Sequence, residues 1–101
     1  MDSVKINKHD QHVDDLCVKL KSEYDLILKN IPLYSKKKRK VAEIDILAFN
    51  EDYCDVFEVK CSHRITKAKK QLSKIKKILS INSSVRHTFF YCGDSRELIM
   101  I

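Results

Sequence analysis

The stretch Glu43-Ile44-Asp45-Ile46-Leu47-Ala48-Phe49, the break Asn50-Glu51-Asp52, and the run Tyr53-Cys54-Asp55-Val56-Phe57-Glu58-Val59-Lys60 decide the fold. Both flanks are rich in aliphatic, aromatic and β-branched residues and the break supplies turn formers, so the spacing predicts an antiparallel hairpin. Strand side chains alternate between faces, which puts Glu43 and Asp45 on one face of the first strand and Glu58 and Lys60 on one face of the second. Residues equidistant from the turn oppose each other, which sets Asp45 against Glu58. Three carboxylates and an ammonium then share a small patch. Glu58 and Lys60 interrupt the apolar run of Val56, Phe57 and Val59, where charge is costly unless it is paired or holds a metal. A local rule broken in this way marks a working site.

Asp45 and Glu58 can hold one hard divalent cation between them. Mg²⁺ takes oxygen ligands, typically one or two carboxylates completed by water and substrate phosphate. Protonated Lys60 is no ligand, but it can orient a metal-bound water and offset charge on a phosphorane-like transition state. The chemistry this implies is hydrolysis of a phosphodiester.

Asp45, twelve residues, then Glu58-Val59-Lys60 resembles the PD-(D/E)xK nuclease superfamily, with its restriction-endonuclease-like fold, and in pattern the small archaeal Holliday junction resolvases. Ile44 stands where the superfamily's name has proline, a departure many members share. The resemblance implies that Asp45 and Glu58 are metal ligands, that the Val59 backbone carbonyl joins them, and that Lys60 positions the nucleophilic water. It implies Mg²⁺ as cofactor, with Mn²⁺ able to substitute, and products ending in 5′-phosphate and 3′-hydroxyl. Members often place an acidic residue on the first helix to orient a metal-bound water. No glutamate stands at that place here, where His9, Asp10 and His12 are the nearby candidates, His12 first among them. Several branches place a glutamine or lysine on the helix after the Glu-x-Lys strand, which makes Gln71 a secondary candidate. Glu43 is a further one, for a second metal or for shaping the site.

The 101 residues carry 20 Lys and Arg against 14 Asp and Glu, a net charge of +6 with an isoelectric point near 9.2. A surplus of this sign favours a polyanionic partner. With 44% hydrophobic and 34% charged residues, one Gly and one Pro, the composition is that of a folded chain with few tight turns, and the length suits a single domain over 1–101. No apolar run approaches a membrane span and the N-terminus is not a signal peptide, so an intracellular protein is expected. The cysteines Cys17, Cys54, Cys61 and Cys92 have no CxxC or zinc-finger spacing. Three fall in predicted strands and one on a helix's apolar face, as small buried hydrophobes in a reducing compartment do.

Outward from the hairpin, residues 1–8 read as frayed. Val13, Leu16, Cys17, Leu20 and Tyr24 recur at helical spacing and predict a first helix from about His9 to Glu23. Tyr24 to Tyr34 reads as a strand whose Pro32 marks its end or an edge position. Lys36-Lys37-Lys38-Arg39-Lys40 follows, five positive charges in a row. A run of like charge is expected to clamp the substrate backbone at the mouth of the site, in preference to a solvated turn or a nuclear-import signal at 36–41. After Lys60 a second helix is predicted from about Ile65 to Asn82, with Ile65, Ala68, Leu72, Ile75 and Leu79 as its buried stripe. Lys67, Lys70, Lys74 and Lys77 gather opposite, and Lys69 and Lys76 flank it. Arg64, Lys67 and Lys70 join the basic run as expected nucleic-acid contacts. Arg86 to Cys92 reads as a strand, and Glu97 to Ile101 as an apolar tail that pairs as a last strand or packs on another subunit.

The expected order is helix, strand, strand, strand, helix, strand, an α/β (or α+β) fold with a mixed central sheet flanked by helices, which is also the restriction-endonuclease-like core. The expected function is metal-dependent endonucleolytic cleavage of DNA, branched or single-stranded, by a homodimer, with a Holliday junction resolvase as its most specific form. The alternatives are a nucleic-acid-binding module that keeps the fold without catalysis, and a small basic assembly subunit.

Overall fold

The computed structural model describes residues 7–80 and 84–101, arranged as α1 (Lys8–Leu20), β1 (Leu26–Tyr34), β2 (Lys40–Phe49), β3 (Cys54–Lys60), α2 (Ile65–Leu79), β4 (Val85–Cys92) and β5 (Glu97–Met100). The expected fraying of the N-terminus falls mostly outside the described residues, as does the expected end of the second helix at Asn82. The five strands form one sheet in chain order, with β3 and β4 parallel and every other neighbouring pair antiparallel. This is the mixed sheet with flanking helices that the sequence implied. The apolar tail adds a strand to the expected core: β5 pairs Phe89 with Met100 and Cys92 with Glu97.

α1 begins where Asn7 accepts the Asp10 backbone N–H at 2.8 Å, so the cap is Asn7 and Asp10 lies in the first turn. The helix ends at Leu20, earlier than Glu23; Tyr24 lies beyond it, still packed against the core under α1, and its hydroxyl donates to Asp55 at 2.5 Å. Asp55 is fully buried and also accepts from the Arg86 guanidinium and the His87 N–H. Burial works to raise its pKa, but these donors outweigh it and hold the carboxyl below its ordinary value. Arg86 in turn lies 3.9 Å from the centre of the Tyr53 ring. Asn50, in the β2–β3 turn, accepts from the Asp25 N–H and donates to the Glu23 carbonyl, which fastens the end of α1 to the hairpin.

The sheet is covered on both faces. Val13, Leu16 and Leu20 of α1 pack on Ile46, Ala48, Phe57, Val59 and Tyr91, while Leu72 and Ile75 of α2 pack with Ile44, Leu47, Cys54 and Val56. Phe57 stacks on Phe89 at 4.8 Å between ring centres. The four cysteines are free; Cys54 and Cys92 are buried in strands, whereas Cys61 lies in the loop just past β3. Pro32 is tolerated because β1 is an edge strand.

Strict alternation fails at bulges between Leu33 and Tyr34 and opposite Cys54 and Asp55, and again beside the fork where β2 and β3 part. Ile44 and Ile46 should share a face, yet Ile44 packs beneath α2 and Ile46 beneath α1. Across the ladder, Lys29 pairs with Ile46 and Ile31 with Ile44, and Asn30 between them takes a left-handed φ of 55°. Asparagine tolerates that region better than most residues. The phase of both strands therefore flips at Asn30 and Asp45.

Candidate active site

β2 and β3 pair from Phe49–Cys54 to Ile46–Phe57 and then separate. Asp45 and Glu58 are the next residues on each side, the register expected from the turn. Past this fork β2 continues with β1 alone, as a two-stranded ribbon ending in the basic turn.

At the fork side chains replace the lost ladder bonds. Asp45 Oδ2 accepts the Val59 N–H at 2.8 Å, and the Val59 carbonyl accepts from His9 Nε2 at 3.0 Å. The same Nε2 lies 3.4 Å from Asp45 Oδ2. Since a carbonyl only accepts, the proton of the His9 ring sits on Nε2. Lys60 Nζ lies 3.2 Å from Glu58 Oε2, and the other carboxylate oxygen, Oε1, is buried without a partner.

Electrostatics follow from burial. The Asp45 carboxyl is pushed up by desolvation, against the pull of the Val59 N–H, His9 and Lys60. Glu58 is pushed up to about 7, first by burial and then by the negative charge of Asp45, with Lys60 pulling the other way. Two buried carboxyls, each raised by desolvation and one of them further by the charge of the other, are a place where a cation is favoured. The donor set suits a hard one: Asp45 is engaged through Oδ2 alone, Glu58 Oε1 is unpaired, and the Val59 carbonyl has a second lone pair. Among the described residues no trio of His, Cys, Asp or Glu forms a metal cage, so water and substrate oxygens would have to complete the shell of any ion held here.

The remaining candidates lie elsewhere. His12 packs against Gly93, where even a Cβ would collide with the imidazole, and its Nε2 lies 3.8 Å from Asp94. The first-helix contact to the fork is made by His9 instead. Its signal was present in the sequence: the stripe Leu20, Leu16, Val13 steps back by four and three, and one further step of four reaches position 9. Glu43 is exposed and pairs with Lys40 at 2.6 Å, with no ion pair or hydrogen bond to Asp45, Glu58 or Lys60, because the phase break at Asp45 intervenes. Gln71 borders a small cavity with Ala42 and Glu43, its Oε1 buried and unpaired.

Lys36 to Arg39 occupy the tip of the ribbon, a turn closed by Ser35 N–H to the Arg39 carbonyl with Lys38 at φ 61°. At about 3.3 Å per strand residue, Lys40 stands roughly 16 Å beyond Asp45, so the basic run overhangs the fork at a distance instead of lining it. Arg64 and Lys67 are exposed at the start of α2, whereas Lys70 faces the ribbon together with Lys69, Lys74 and Lys77. No helix among the described residues is long and apolar enough to cross a membrane.

Comparison with curated proteins gives no match. Comparison with protein families matches the nuclease-related domain (NERD) over residues 5–91, a span that runs from ahead of α1 to the penultimate residue of β4. It agrees with the resemblance to the PD-(D/E)xK nucleases that the Asp45 and Glu58-Val59-Lys60 spacing suggested. The matched span takes in His9, the β2–β3 fork and the basic ribbon, and the chain belongs to the nuclease-related domain (NERD) family.

Proposed function

We propose that the fork is the catalytic centre of a metal-dependent endodeoxyribonuclease. The observation that carries this reading is the buried, unpaired Glu58 Oε1 beside Asp45 where β2 and β3 part. Asp45, Glu58 and the Val59 carbonyl would hold Mg²⁺, for which Mn²⁺ can substitute. The bound ion would polarise the phosphate and lower the pKa of a coordinated water. Lys60, half of an ion pair with Glu58, holds its ammonium where it can orient that water and offset the growing negative charge on the phosphate. His9 fixes the Val59 carbonyl and places a proton donor beside Asp45. In-line attack by water forms a new P–O bond as the bond to the 3′-oxygen breaks, and the departing oxygen takes a proton, leaving a 3′-hydroxyl and a 5′-phosphate.

A symmetric pair of cuts, as at a four-way junction, requires two copies of the site. Both sheet edges carry exposed apolar side chains that a second copy could cover, Leu26 and Leu28 on β1 and Leu98 and Met100 on β5. A second reading, a binding module without catalysis, draws on the Glu58–Lys60 pair, which offsets one of the fork's two carboxylates without any ion.

The test is incubation with labelled four-way junction, duplex, nicked and single-stranded DNA in Mg²⁺, Mn²⁺ or EDTA, beside Asp45→Ala and Lys60→Ala. Cutting that requires metal and falls by at least about a hundredfold in both variants is expected. Binding without cutting in every metal would leave the binding module.

A further inference from the structure

Beyond the fork, the β1–β2 ribbon and α2 flank an open groove of about 750 Å³. Its floor is apolar, formed by Tyr34, Val41 and Ile78, and its rim is cationic, formed by Lys69, Lys70, Lys74 and Lys77. No carboxylate lines it, and none of these four lysines has a carboxylate within ion-pair reach among the described residues. Tyr34 is 60% exposed. Four like charges around an apolar floor repel one another until a polyanion joins them. The floor adds a second requirement, for flat apolar faces. A duplex buries its base faces in the stack and turns phosphate and sugar outward, so it satisfies the rim and leaves the floor wet. A single strand offers both at once.

We propose that the groove between the β1–β2 ribbon and α2 is a track for single-stranded nucleic acid, with a base stacked on Tyr34 and phosphates on Lys70 and Lys74. The proposal deepens the nuclease reading by naming the form of the substrate, and rests on that reading for the strand's fate but not for its binding. The ribbon reaches the groove through two irregularities: the phase break turns Ile31, Leu33, Ala42 and Ile44 toward α2, and a bulge between Leu33 and Tyr34, where Tyr34 pairs with Lys40 and Val41 is left unpaired, brings Tyr34 and Val41 beside the lysines.

The experiment is equilibrium binding in EDTA, by fluorescence anisotropy, of a short labelled oligothymidylate and of a duplex of the same length. It compares the natural protein with Tyr34→Ala, Tyr34→Phe and the double variant Lys70→Ala/Lys74→Ala, each checked by thermal melting; all three positions are exposed, so the fold is expected to hold. The oligothymidylate should bind more tightly than the duplex. Tyr34→Ala should weaken it about tenfold while Tyr34→Phe stays near the natural protein. The double variant should make the slope of log affinity against log salt shallower by about 1.4. A duplex bound as tightly as the single strand, or a Tyr34→Ala protein that binds as before, overturns the proposal. A protein that binds in this way yet cuts nothing with Mg²⁺ keeps the track and loses the nuclease reading; one that cuts while indifferent to Tyr34 keeps the nuclease reading and loses the track.

Discussion

Glu58 shows how much a single buried carboxyl can govern. Its pKa, near 4.5 when exposed, is pushed to about 7 in the fold, so the folded chain holds its proton through a range in which the unfolded chain has released it. Folding therefore becomes less favourable as pH rises from about 4.5 to about 7, by on the order of 3 kcal/mol for this group, and the loss levels off above. In EDTA the melting temperature of the natural protein should fall across that range, while Glu58→Gln, which has no proton to lose, should lack this part of the fall. On the metal reading, Mg²⁺ added above pH 7 should restore the natural protein and not the variant. Identical pH profiles for the two proteins would refute the buried-charge account. Asp45, Glu58 and Lys60 were legible as neighbours because a turn and a period of two fix register. His9 lay on the periodicity of the α1 stripe, but preferring it to His12 needed the start and tilt of the helix, which decide which residue of a first turn reaches the sheet. The role of the carboxylate Asp55 carried no signal, because its partners Tyr24 and Arg86 lie 31 residues away on either side.

At the scale of the element, the ribbon is the part that simple alternation misses. A strand read with an unbroken period of two places Glu43 beside Asp45, and the left-handed Asn30 undoes this by turning the first half of β2 toward α2. The only sequence cue was the residue type, as asparagine is among the few that enter that region cheaply. The position is exposed, so its conformation can be tested without disturbing the core. Asn30→Val should destabilise the protein by about 1–2 kcal/mol, the cost of a left-handed residue with a branched Cβ, and lower the melting temperature by roughly 5–10 °C. Asn30→Gly should be tolerated. If Asp45 depends on this break for its reach to the Val59 N–H, Asn30→Val should also slow metal-dependent cutting more than its stability loss explains at temperatures where the variant is fully folded. Equal melting temperatures for the Val and Gly variants would show that the break is held by packing against α2 and not by the backbone preference of residue 30.

For the whole molecule, what matters is where the net charge of +6 resides. Lys36, Lys37, Lys38 and Arg39 stand at one extremity on a ribbon that β3 does not support, while α1 contributes Asp10, Asp14 and Asp15 on the opposite face of the sheet. Composition alone announced a polyanionic partner, but not that its cations divide between a distant tip and a groove, since that division depends on where two strands part. A tip held well beyond the fork can meet a phosphate backbone first and add affinity without entering the chemistry. Lys36→Ala/Lys37→Ala/Lys38→Ala should therefore weaken binding to single strand and duplex alike. It should make the salt slope shallower by about 2 to 2.7 if each lysine meets one phosphate. Melting temperature and the Glu58-linked pH profile should be unchanged, because the tip touches neither core nor fork. With saturating DNA the maximal cutting rate should stay that of the natural protein, the loss appearing in the DNA concentration needed to reach it. Should the maximal rate fall instead, the ribbon would have to fold back on the fork during the reaction, and the basic run would belong to the catalytic centre after all.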